Sequence, residues 1–312
     1  MKRSLVQVPL ALSGLLLALV ALANLLAPVH PLIKPSLQAL VLLGYGLLFS
    51  RIFAVWSKTR TELGQPIVAS CFATLFMGLL LLIASLPPLP LGIGKGIWLT
   101  LVLLYGAYIV YFSIRFISQR KLELVFPSWF IVYVGFAMVG VTAPVYQAFR
   151  LGWFSLIFAG ISFAILLPVV VYRLLHVKLV QAQFPLLAIF AAPTALLLTA
   201  YLQLAEQVDL RLLVFLLVLS QSFYLTVVLS LRRLTKNGFS PLFAAFTFPF
   251  VSSAISLKLT LGKLVGLQSL LSFVLQVEII LATLVIAGVA FLYVNHLSRE
   301  LVSVWSSAEE SV

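Results

Sequence analysis

Glu278 is the one acid set plainly inside an apolar stretch of membrane-spanning length, where a carboxyl can carry a proton or anchor a polar contact. Hydroxyls are the commonest other polar groups in such stretches: Ser13, Ser70, Thr74, Ser128, Thr142, Thr194, Thr199, Thr247, Ser252, Ser253 and Ser256. Hydroxyls and aromatic rings suit an anion or a neutral solute, whereas a metal cation asks for oxygen-rich, usually acidic ligands. His30, His176 and His296 stand at the ends of apolar stretches, and none has a ligand partner four residues on. No nucleophile, base and orienting group converge and no Walker loop occurs, so the sequence points away from an enzyme, a metal site, a cofactor and direct nucleotide coupling. Cys71, the single cysteine, sits in an apolar stretch without a disulfide partner and reads as a small packing residue.

The elements that must position these groups are marked by a recurring proline. Pro9, Pro66, Pro127, Pro185 and Pro241 are spaced by 57, 61, 58 and 56 residues, and each opens an apolar run just after a basic segment. Each interval holds two membrane crossings, so the chain reads as one helical hairpin used five times. The expected spans are 7–28, 34–55, 65–86, 94–117, 126–148, 152–175, 183–205, 210–231, 240–262 and 268–295. Continuous runs of about 20 apolar residues favour helices over a membrane barrel. The composition, 63% hydrophobic and 9% charged, leaves no room for a separate water-soluble domain, so one membrane domain over residues 1–312 is expected. Ala21-Leu22-Ala23 resembles a signal-peptidase site, but cleavage there would remove the first of five equivalent helices, and the segment is expected to stay.

Lys and Arg set the expected orientation. One side carries Lys2, Arg3, Arg51, Lys58, Arg60, Arg115, Arg120, Lys121, Arg173, Lys178, Arg232, Arg233, Lys236 and Arg299; the other carries Lys34, Lys95, Arg150, Arg211, Lys258 and Lys263. The bias of fourteen to six places both termini in the cytoplasm. It also accounts for the net charge of +12 without a nucleic-acid partner.

Aligned on the repeating prolines, the eighth following position holds Leu17, Thr74, Gly135, Pro193 and Pro249. A mid-span proline removes a backbone hydrogen bond and bends the axis; here the freed carbonyls would be those of Ile189 and Ala245. The odd spans thus read as kinked, hydroxyl-bearing helices around a central path, with Ser13, Thr74, Ser128, Gly135, Thr194 and Ser252 as candidate lining residues. The same residues would also let helices pack closely, and both readings stand. Glu278 likewise reads either as a proton-coupling site or as a packing residue beside Gln276.

Pro66-Ile-Val-Ala-Ser-Cys-Phe-Ala-Thr74, Phe126-Pro-Ser-Trp-Phe-Ile-Val-Tyr-Val-Gly135, Phe184-Pro-Leu-Leu-Ala-Ile-Phe-Ala-Ala-Pro-Thr194 and Phe243-Ala-Ala-Phe-Thr-Phe-Pro249 resemble the tellurite-resistance/dicarboxylate transporter family. That family includes bacterial TehA, fungal malate permease and the plant slow-type anion channels. The resemblance implies an all-α integral membrane fold of ten transmembrane helices, arranged as five hairpins around a quasi-fivefold central pore lined by the odd helices. It also implies a homotrimer in the cell membrane with one pore per subunit. A pore-blocking phenylalanine precedes the ninth-helix proline in the family, which here is Phe248. The expected activity is transport of small inorganic or carboxylate anions. A passive channel leads, with a proton-coupled carrier of C4-dicarboxylates such as malate, of sulfite or of a tellurite-type oxyanion as the alternative.

Overall fold

The computed structural model describes residues 5–87, 90–236 and 238–309, with the side chains of Leu91, Val265 and residues 301–309 outside that description. Lys2 and Arg3, counted above in the basic bias, lie outside the described residues. Among the described residues there is no strand. Among the described residues nine helices are long and apolar enough to cross a membrane, and one further apolar helix is shorter. In chain order they are α1 (Leu12–Leu26), α2 (Ile33–Ala54), α3 (Pro66–Ser85), α4 (Gly92–Ile117), α5 (Trp129–Tyr146), α6 (Phe149–His176), α7 (Gln181–Leu204), α8 (Leu210–Leu234), α9 (Pro241–Lys263) and α10 (Gln268–Glu300).

Helix α1 departs most from its expected extent. Its 15 residues rise only about 22 Å, short of a hydrocarbon core of roughly 30 Å. The chain before it is turned rather than α-helical, with Leu12 N–H bonded to the Pro9 carbonyl and Ser13 N–H to that of Leu10. Pro9 has no N–H to extend the α ladder backwards, so three-residue turns precede the helix.

Burial separates two classes of helix. In α3, α5, α7 and α9 the most apolar window is 56%, 78%, 78% and 72% buried, against 22–33% in the long even helices. All but Asn24 and Leu26 of α1 are buried. Contacts run from α1 to α3, α3 to α5, α5 to α7, α7 to α9 and α9 back to α1, which closes the odd helices into a ring. Each even helix packs outside on the odd helix before it. Its exposed face is apolar, as with Leu43 and Phe53 on α2 or Leu225 and Leu229 on α8, the surface a helix presents to lipid.

The buried helices are the irregular ones. α3 is interrupted at Ala73, between Pro66–Phe72 and Thr74–Ser85. α5 tightens to a 3-10 helix at Val134–Ala137 between two α segments, and α7 is 3-10 over Gln181–Ala191 before becoming α at Ala192. A break in an apolar interior leaves carbonyls that something must satisfy. Two tyrosines of α4 do so. Ala73 N–H bonds to Ser70 and Cys71, and the carbonyl of Ala69 instead accepts from Tyr108 Oη at 2.7 Å. Tyr105 Oη donates to the carbonyl of Ile131 at 2.7 Å, beside the tightened turn of α5. The even helices are more regular: α6 stays helical through Pro168, while α4 ends in a π-helical turn at Ser113–Ile117.

Between α2 and α3 a short helix, Trp56–Glu62, is pinned by the buried Arg51. Arg51 pairs with Glu62 and donates to Thr59 Oγ1 at 3.0 Å. It is the one ion pair among the described residues.

Candidate functional site

Two cavities lie inside the ring, and every lining residue belongs to an odd helix or the residues leading into one. A narrow cavity of about 50 Å³ occupies the N-terminal halves of these helices. Thr74 and Met77 of α3, Gly135 of α5, Pro193 of α7 and Ala245 of α9 line it, as does Gly14 of α1. A wide cavity of about 230 Å³ occupies the C-terminal halves, with Asn24, Gln203, Ser252 and Lys258 among its lining. Phe248 and Leu196 are common to both linings. Phe248 is 8% exposed, one residue before Pro249 inside the α segment Ala244–Thr260.

The helix breaks are what bring backbone and small residues to the narrow cavity. Gly135 sits in the 3-10 turn of α5, where an added Cβ would lie 2.5 Å from Tyr105 Oη and 2.7 Å from Met77 Sδ. Only glycine allows α5 to approach α3 and α4 that closely. Pro193 stands second in the α segment of α7, so the missing N–H falls where a helix start has no partner for it. The carbonyl of Ile189 accepts from Ala192 N–H instead. Pro249 lies well inside its segment, and the two prolines therefore meet the lost hydrogen bond in different ways.

Of the other sequence-derived candidates, Thr74 lines the narrow cavity and Ser252 the wide one. Ser13, Ser128 and Thr194 are fully buried and lie outside both linings. Ser13 shares a 2.8 Å hydrogen bond with Thr74 across α1 and α3, and Ser128 accepts from Ser70 at 2.6 Å. The Thr194 hydroxyl has no partner. The hydroxyls that do face a cavity have largely committed their protons: Thr74 donates to Cys71 O at 2.7 Å, Thr199 to Ala195 O at 2.8 Å and Ser252 to Pro249 O at 3.1 Å.

Glu278 is 1% exposed and sits behind the ring. Its carboxyl faces Ser253 on α9 and Gln221 and Tyr224 on α8, yet neither oxygen closes a hydrogen bond of ordinary geometry. Gln221 Nε2 lies 3.3 Å from Ser253 Oγ in the same cluster. Ser253 follows the cavity-lining Ser252, about 100° further round α9, and is not itself in the lining, so the cluster lies against a side of α9 turned away from the cavity.

Neither lining contains an aspartate or glutamate, and the wide cavity holds one lysine. That balance favours a negative solute. The sequence matches the voltage-dependent anion channel family, SLAC1, over residues 7–297. The chain belongs to the SLAC1 family. A comparison with curated proteins finds no match. SLAC1 membership implies anion transport by a multi-pass membrane protein and makes the chain a transport protein rather than an enzyme.

Sequence reasoning missed Leu196, Asn24 and Gln203 in the linings and counted Lys258 only toward the basic bias of one side. The signal was periodic: Phe248, Ser252, Ile255 and Leu259 recur at helical spacing and all line the wide cavity. Lys258 is next to that face.

Proposed function

We propose that the chain is a passive anion channel whose path runs through a quasi-fivefold ring of odd helices and is occluded by Phe248. The observation that carries this reading is that Phe248 belongs to both cavities, with Leu196 beside it. A ring filling an apolar constriction stops ions sterically and by excluding water, without any charged gate. Pro249, one residue on, weakens the local helical ladder and gives the ring room to change rotamer. Thr74, Gly135 and Ser252 would line the path. Five hairpins, one per repeat, would form the pore, and the whole membrane domain would serve it. The path would carry small inorganic or carboxylate anions.

The basic bias supports a plasma-membrane orientation with both termini cytoplasmic, which turns the narrow cavity inward and the wide cavity outward. The family resemblance supports a homotrimer with one path per subunit. Phe248→Ala should raise anion current strongly in planar bilayers with little change in anion-over-cation selectivity. Equal or smaller currents from well-assembled variant protein would sink the gate.

A second reading, a proton-coupled carrier of C4-dicarboxylates, sulfite or tellurite-type oxyanions, draws on the buried Glu278 cluster behind α9. An intramembrane carboxyl against the gate-bearing helix could couple a proton to its bend.

A further inference from the structure

Lys258 stands ten residues beyond Phe248 on α9, about 15 Å along the helix, and lines the wide cavity. Its Nζ donates to the carbonyl of Leu25 at 3.2 Å. Leu25 is at the C-terminal end of α1, where carbonyls lack intrahelical partners and the helix dipole favours a cation. The lysine is therefore held in place by backbone rather than by an acid: the one ion pair among the described residues is Arg51 with Glu62.

The groups around it complete a donor set. Ser252 and Thr199 have spent their protons on their own helices. What remains to face a solute is the ammonium together with the amides of Asn24 and Gln203, from α9, α1 and α7 respectively. A cavity of about 230 Å³ holds a small anion with several waters, each water taking about 30 Å³.

We propose that Lys258, Asn24 and Gln203 form an anion-binding station in the wide cavity, which concentrates small, partly hydrated anions in the cavity that Phe248 closes at its other end. The charge is neutralised by no carboxylate and sits in a low-dielectric wall, the arrangement that raises local counter-ion concentration. The station rests on the path reading above. It goes further in naming where the anion waits and which side chains hold it.

The test uses the full chain carrying Phe248→Ala, so that current flows, in planar bilayers with sodium chloride. Adding Lys258→Gln should lower chloride conductance roughly tenfold at low salt and cut chloride-over-sodium selectivity. The loss should fade near 1 M salt, where the screening length is about 3 Å. Because Lys258 also ties α9 to α1, Gln203→Glu is made in parallel; it leaves that tie intact, opposes the charge from α7 and should act in the same direction. If either variant assembles normally and keeps the low-salt conductance and selectivity of Phe248→Ala, the station is overturned. If Phe248→Ala itself carries no chloride, the path reading fails first, and that outcome is distinct from the other.

Discussion

Phe248 on α9 and Leu196 on α7 are the two side chains that both cavities share. On the gate reading these two apolar groups from different helices form the constriction, and it need not yield equally to their removal. Phe248 brings the larger, planar surface and lies beside a proline; Leu196 lies inside the regular α segment of α7. Leu196→Ala alone should raise anion current less than Phe248→Ala, and the double variant should exceed both. Bilayer currents at matched protein amounts check this. A Leu196→Ala current above that of Phe248→Ala would transfer the block from the ring to the leucine.

Tyr108 and Tyr105 supply partners for carbonyls that the breaks in α3 and α5 leave inside the protein. Tyr108→Phe removes the donor and keeps the ring. The variant should lose about 1 kcal/mol, within the range for interhelical hydrogen bonds in membranes and for a buried acceptor left unpaired. Tyr105→Phe should behave alike. Unfolding by titrated denaturing detergent measures both, and unchanged midpoints would show that the carbonyls find other partners at no cost.

Glu278 separates channel from carrier. If the carboxyl is a structural part of the cluster with Ser253 and Gln221, Glu278→Gln keeps its shape and should leave anion conductance intact. Uptake into liposomes should then respond to an imposed pH gradient in the same way before and after the change. Loss of pH-driven accumulation in well-folded variant protein would instead make Glu278 the coupling site.

Orientation follows from the fourteen-to-six count. Alkaline phosphatase fused after Lys95 should be active and fused after Lys58 inactive, with the wide cavity then opening outside the cell. The reverse pattern would exchange the two faces and put Lys258 on the cytoplasmic side.

The ten apolar elements were legible because each carries its own continuous run, and in a bilayer such a run has few choices but helix. The difference between odd and even helices was legible too, from proline and hydroxyl positions. The placement of single hydroxyls was not. Ser13 and Thr74 have the same chemistry and sit on adjacent helices, yet one is wholly enclosed and the other meets a cavity. That difference is set by rotation of one helix against the next, which an apolar run on every face does not encode. The cavity-lining place of Lys258 was not legible for a related reason. Near a span end a lysine counts toward orientation, and only the return of α9 to α1 shows what it bonds.

The ring of odd helices closes through contacts between the first and the ninth, where Lys258 meets Leu25 and Thr247 Oγ1 lies 3.4 Å from the Gly14 carbonyl, both 233 residues apart in sequence. A ribosome delivers these helices in order, so until α9 inserts, the assembly is an arc with one open flank. The helix that turns the arc into a ring is also the one that carries Phe248. On the gate reading, the conduit and its plug are thus completed in the same step of synthesis, and no intermediate on the way holds a closed but unstoppered hole through the membrane.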